Sequence, residues 1–121
     1  MSFHVILTTD SEKYEGTITS KLNKEICLRG DWEVALVQSN LSVDDIQDHF
    51  IFCDLIDYSY YNDTRIQLLA AYRYKNYEKM YVRLIKKRFS TINMNLRAYL
   101  LTEMYPPLTD NTYFILHFRK L

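Results

Sequence analysis

Apolar and polar residues alternate along most of this chain with a period of two. Phe3, Val5 and Leu7 fall on one side of the first segment, with Ser2, His4 and Ile6 between them. Ile18, Ser20 and Leu22 form a weaker set, Ile26 and Leu28 another, and Trp32, Val34 and Leu36 a clean one. Ile51, Cys53 and Leu55 follow, then Ile66, Leu68 and Ala70, then Val82 and Leu84, then Ile92, Met94 and Leu96. At the end Tyr113, Ile115 and His117 alternate with Phe114, Leu116 and Phe118. Successive side chains of a strand point to opposite faces of a sheet, so the pattern predicts about nine half-buried strands. Their spacing of roughly 10–15 residues predicts a sandwich or barrel. One helix is expected, capped by Ser42 and running through Val43, Asp44, Asp45, Ile46 and Gln47, with its acidic residues where the helix dipole favours them. Residues 75–87 fit both periods, since Tyr77, Tyr81, Leu84 and Ile85 also share a helical stripe, and 95–104 is ambiguous in the same way. Both are read as strands.

Composition agrees with this picture. The chain has 121 residues, the size of one domain spanning 1–121. Eleven Tyr set against two Gly and two Pro suit pleated, half-buried surfaces and leave turns to Asn, Asp and Ser. Cys27 and Cys53 both sit inside apolar runs; a disulfide is open to them, but free thiols buried as small hydrophobes in a reducing compartment are the expectation. Residues 1–8 are too short and polar for a signal peptide, and no run approaches the ~20 apolar residues of a membrane span. The chain is therefore expected to be made inside a cell and not secreted.

Charge divides the chain in two. Residues 1–63 carry four basic against twelve acidic side chains, a net of −8, and residues 64–121 carry eleven against three, a net of +8. Three readings follow: the two halves are complementary layers of one fold, or they face outward so that one copy attracts the next, or the basic half meets nucleic acid. Contacts of the second kind, made head to tail, close into rings. The run Arg83, Leu84, Ile85, Lys86, Lys87, Arg88, with Tyr72, Tyr74, Tyr77 and Tyr81 upstream, concentrates the basic side. Interleaved cations and aromatics are what single-stranded nucleic-acid surfaces use. On a strand, however, these residues divide between two faces, and a solvated face or an interface with an acidic neighbour explains them equally well. Arg83, Lys86, Lys87 and Arg88 are thus candidates for assembly or nucleic-acid contact.

Catalytic patterns do not emerge. His4, His49 and His117 are scattered, and none pairs with His or Cys at metal-ligand spacing, so no metal site is expected. Asp54 and Asp57, with Asp44, Asp45 and Asp48 nearby, could form a carboxylate cluster, but a helix start and a strand edge account for them. Two glycines leave no phosphate-cradling loop, and no nucleophile elbow occurs. The chain is read as a non-enzyme with no cofactor and no small-molecule substrate.

Three collinear runs carry a family likeness. Gly30-Asp31-Trp32-Glu33-Val34-Ala35-Leu36, Phe52-Cys53-Asp54-Leu55-Ile56 and Phe114-Ile115-Leu116-His117-Phe118-Arg119 resemble the penton-type minor capsid proteins of Polinton/Maverick virus-like DNA elements and related viruses. Phe3 to Leu7 leading to Tyr14, the segment Thr17 to Leu22, the pair Leu68-Leu69, and Tyr105-Pro106-Pro107-Leu108 extend the likeness. The family's stretch between the Trp and Cys-Asp motifs is longer than residues 38–51. Ala35 stands where the family has Gly, and Tyr60-Tyr61-Asn62-Asp63 replaces a Gly-containing turn, so the chain resembles a trimmed form. The resemblance implies an all-β single jelly-roll sandwich of about eight strands and a virion location, with synthesis in a host cytoplasm or nucleus. It implies a penton-like vertex subunit that forms homo-oligomers, pentamers by implication, beside other capsid subunits, with nucleic acid a secondary partner. The alternative is a small β-sandwich binding module for nucleic acid or a receptor. Trp32, Val34 and Leu36 are expected in the core with Phe3, Val5 and Phe118.

Overall fold

A computed structural model describes residues 1–8, 12–14, 16–41, 49–73, 76–97 and 112–121. Every regular element among them is a strand: β1 (Ser2–Thr8), β2 (Glu12–Tyr14), β3 (Thr17–Cys27), β4 (Trp32–Ser39), β5 (His49–Cys53), β6 (Ser59–Tyr61), β7 (Thr64–Ile66), β8 (Leu68–Arg73), β9 (Asn76–Tyr77), β10 (Val82–Arg83), β11 (Arg88–Arg97) and β12 (Tyr113–Lys120). Seven of these, β1, β3, β4, β5, β8, β11 and β12, have five or more residues, and the others are short pairings of two or three.

The strands fall into a four-stranded sheet ordered β1-β12-β4-β10 and a six-stranded sheet ordered β2-β3-β11-β5-β8-β9, with β6 and β7 forming a separate hairpin. Every pairing is antiparallel, and four of them are nested: β1 with β12, β3 with β11, β4 with β10 and β5 with β8. The first half of the chain therefore meets the second half in reverse order, as one long doubled ribbon whose strand pairs fall alternately in one sheet and the other.

The faces turned toward each other build one core. The four-stranded sheet contributes Leu7, Trp32, Val34, Leu36, Phe114, Leu116 and Phe118, and the six-stranded sheet contributes Ile18, Ile51, Cys53, Ile92, Met94 and Leu96. Phe118 stacks on Phe3 of the neighbouring strand at 4.9 Å between ring centroids and reaches Phe89 of the opposite sheet at 5.9 Å. Trp32, Val34, Leu36 and Phe118 are buried, while Phe3 and Val5 are half-buried and pack against the cluster from β1. That difference follows from position, because β1 is an edge strand.

Turn chemistry follows the scarcity of glycine. Asn62 takes a positive φ of 54° in the two-residue turn closing β6 onto β7, a conformation Asn tolerates better than most residues. Gly30, between β3 and β4, has a φ of +87°, and a Cβ there would lie 3.1 Å from Lys120 Cε. Both the dihedral and the close approach call for glycine.

The structure differs from the sequence reading in several places. The expected helix at 42–47 lies outside the described residues, as do 98–104 of the ambiguous stretch 95–104, whose described part belongs to β11, and all of Tyr105 to Leu108. Within 75–87 the described part is extended at Asn76–Tyr77 and Val82–Arg83. Residues 66–70 are not one alternating strand but break at Gln67 between β7 and β8. The Gln67 side chain donates to the Ile56 carbonyl at 2.8 Å, and the Gln67 backbone carbonyl accepts from Cys53 N at 3.0 Å. A register shift between Ile51 and Phe52 accompanies this break, so Leu69 and Ala70 are both buried while Leu68 is not.

Candidate functional site

The basic run lies where three connections converge, and there it meets the acidic half of its own chain. Arg83 pairs with Asp31 at 3.1 Å, Lys87 with the same carboxylate at 3.4 Å, Lys86 with Asp54 at 3.2 Å and Arg88 with Glu25 at 2.7 Å. Backbone bonds tie the region down: Leu28 N donates to Lys87 O at 2.7 Å, Leu84 N to Trp32 O at 2.9 Å and Ile85 N to Leu55 O at 2.9 Å. Arg119 adds an ion pair with Glu33 across β12 and β4. All five of these ion pairs join a cation from residues 64–121 to a carboxylate from residues 1–63.

The electrostatics follow from this geometry. The hydrogen bond from Lys87, then the charges of Arg83 and Lys87, hold the Asp31 carboxyl below its ordinary value. The hydrogen bond from Arg88, then that from Cys27, lowers Glu25, and Glu25 in turn raises Arg88. Part of the division of charge along the chain is thus met inside one molecule. Arg83, Lys86, Lys87 and Arg88 do share one region, but each already has a carboxylate partner, which weakens the group as a phosphate-binding surface.

A second group lies on the outer face of the four-stranded sheet. His4 and His117 are cross-strand partners with rings stacked at 4.6 Å, and Tyr81 Oη lies 2.7 Å from His117 Nδ1. The Arg119 guanidinium sits 3.4 Å from the Tyr81 ring centroid and Lys79 Nζ sits 5.5 Å from it. Desolvation lowers the His117 pKa first, and the neighbouring His4, Lys79 and Arg119 add to the shift. Among the described residues no three His, Cys, Asp or Glu side chains converge in a metal-binding group.

The cysteines are both free thiols, but they are not alike. Cys53 is buried in the core and burial pushes its thiol up to about 12. Cys27 is exposed, contrary to the expectation of two buried thiols, because its position on β3 turns it outward, where its Sγ donates to Glu25 at 3.5 Å.

A cavity lies on the outer face of the six-stranded sheet, beneath the β6–β7 hairpin. Its volume is about 320 Å³, and Phe52, Arg65, Ile66, Gln67, Asn95 and Arg97 line it together with Thr64. A neighbouring hollow of about 170 Å³ shares Phe52, Gln67 and Asn95. A ladder of polar contacts runs along the same face. Thr19 Oγ1 donates to Asn93 Oδ1 at 2.8 Å, Asn93 Nδ2 to Asp54 Oδ2 at 3.0 Å, Asn95 Nδ2 to Thr17 Oγ1 at 2.8 Å and Arg97 Nε to Asn95 Oδ1 at 2.6 Å. The sequence reading missed this group. Its members come from β3, β5, β7, β11, Asp54 after β5 and Gln67 between β7 and β8; the alternation marks only the outward parity of the strand residues and does not show that these strands lie side by side.

No family model, no curated protein and no solved structure matches this chain.

Proposed function

We propose that the chain is a single jelly roll that serves as a penton-like minor capsid subunit and assembles with fivefold symmetry, without catalysis. The observation that carries the reading is the nested pairing. A doubled ribbon rolled so that its strand pairs alternate between two facing sheets is the connectivity a jelly roll requires, and such domains build viral shells. With β2, β9 and the β6–β7 hairpin set aside, the seven long strands and the two-residue β10 remain in the two orders β1-β12-β4-β10 and β3-β11-β5-β8. The likeness of the Trp32, Cys53 and Phe118 motifs to penton-type proteins points the same way, and those motifs fall on β4, β5 and β12 at the heart of the two sheets.

An edge supports assembly. Among the described residues β1 pairs only with β12, so its other side offers seven residues of unpaired backbone, and Ile6 is 63% exposed on its outer face. Long open edges template pairing with another chain. Subunits of this kind act beside other capsid subunits in a virion made in the cytoplasm or nucleus of a host cell. Electron micrographs of the purified protein test the reading: fivefold rings are expected, and a field of isolated particles of single-chain size contradicts it. The alternative of a small binding module draws on the cavity beneath the β6–β7 hairpin, and the same micrographs would then show single domains.

A further inference from the structure

We propose that the cavity on the outer face of the six-stranded sheet binds one nucleotide unit, a phosphate joined to a planar base. The inference does not rest on the capsid reading. Two guanidiniums, Arg65 and Arg97, line the same cavity. Among the described residues neither has a carboxylate at ion-pair distance, whereas Arg83, Lys86, Lys87, Arg88 and Arg119 all do. Like charges brought to one concave surface repel each other, and an anion between them removes that cost.

Both guanidiniums are already held in place. The Arg65 guanidinium sits over the Tyr58 ring, with Cζ 3.9 Å from the ring centroid. Arg97 donates from Nε to Asn95 Oδ1 at 2.6 Å, and Asn95 is itself fixed by its bond to Thr17. With Nε engaged, the terminal nitrogens of Arg97 are left as a donor pair, the fork geometry that matches a phosphate or carboxylate. Little side-chain freedom remains to be lost on binding an oxyanion.

The walls choose among anions. Phe52 and Ile66 supply an apolar side, and the Arg97 Cζ lies 5.9 Å from the Phe52 centroid. An aromatic face beside a cation pair is how proteins hold a base together with its phosphate, and every base offers a ring to stack. A volume of about 320 Å³ suits a ligand of that size better than a bare ion. The adjoining hollow of about 170 Å³ leaves room for the chain to continue, so the unit can come from a free nucleotide or from the end of a single strand.

Calorimetric titration of the full chain tests this with adenosine 5′-monophosphate, adenosine, inorganic phosphate and a 5′-phosphorylated single-stranded octanucleotide. The monophosphate is expected to bind more tightly than phosphate or adenosine alone. Arg65→Ala and Arg97→Ala should each weaken it roughly tenfold or more, with Arg97→Lys intermediate. Lys86→Ala and Lys87→Ala should leave it unchanged, and circular dichroism of each variant should match the wild type. Tighter binding of the octanucleotide than of the monophosphate assigns the site to single strands, and equal binding assigns it to free nucleotides. No binding at millimolar concentration, phosphate binding as well as the monophosphate, or Arg65→Ala and Arg97→Ala binding like the wild type overturns the proposal.

Discussion

Replacing Trp32 by Ala should unfold the domain far below its normal melting temperature. Trp32 is only 4% exposed, its ring lies 5.7 Å from Phe3, and its indole Nε1 donates to the Arg29 carbonyl at 2.9 Å. A buried indole removes about 150–250 Å² from water, which at about 25 cal/mol per Å² is roughly 4–6 kcal/mol as an upper value. Measured large-to-small core changes of this kind cost about 3–5 kcal/mol. The hydrogen bond adds little to the net loss, because Arg29 is exposed and water can replace the donor. Against a total stability of about 5–15 kcal/mol, the variant should melt roughly 10–25 °C lower. Trp32→Phe keeps an aromatic ring, though a smaller one without the N–H, and should lose less. Thermal unfolding followed by circular dichroism measures both. A Trp32→Ala protein that melts within about 5 °C of wild type would show that β4 does not anchor the core.

Other outcomes follow from the same geometry. Folded protein at pH 8 should be alkylated once, at exposed Cys27, because the Cys53 thiol is buried and raised to about 12; denaturation without reductant should expose both. As pH falls from 7 through 6, stability should decline, since His117 is lowered below 6.5 in the fold and the unfolded chain takes up the proton first. His117→Gln should flatten that slope, and an unchanged slope would refute the assignment. Stability held by Asp31 and Glu25 should be complete above their ordinary values of 3.8 and 4.5 and be lost as pH drops through their lowered ones. Reversing Lys86, Lys87 and Arg88 to Glu should lower the melting temperature by a few degrees, because their carboxylate partners are in the same chain. Ile6→Lys should leave the melting temperature nearly unchanged yet shift sedimentation toward single chains.

Period-two alternation located most of the long strands because each has one face on a common core. Trp32, Val34 and Leu36, then Ile92, Met94 and Leu96, then Phe114, Leu116 and Phe118 are all buried as the pattern requires. The alternation failed where a side chain took over backbone hydrogen bonding, as Gln67 does between β7 and β8. The apolar run around Cys27, not the alternation, misplaced that thiol: Ile26 and Leu28 turn inward and are half-buried, and Cys27 between them faces out. The −8 and +8 halves were plain in the sequence, but whether they would meet within one molecule or between copies depended on which strands became neighbours. The nested pairing sets strands from opposite halves side by side, so ion pairs form within one molecule, as between Glu25 of β3 and Arg88 of β11 and between Glu33 of β4 and Arg119 of β12. The same dependence hid the Arg65–Arg97 cavity, whose residues lie as far apart in sequence as Phe52 and Arg97.

Mass in solution bears most directly on the central claim of a self-assembling capsid subunit. Sedimentation and native mass spectrometry at high protein concentration and low salt should find a species of five times the 14.6 kDa chain mass. Raising salt from 0.1 to 1 M shortens the screening length from about 10 to 3 Å, and a mixed polar and apolar interface should loosen without vanishing. A protein that stays at the single-chain mass under every one of these conditions contradicts the account.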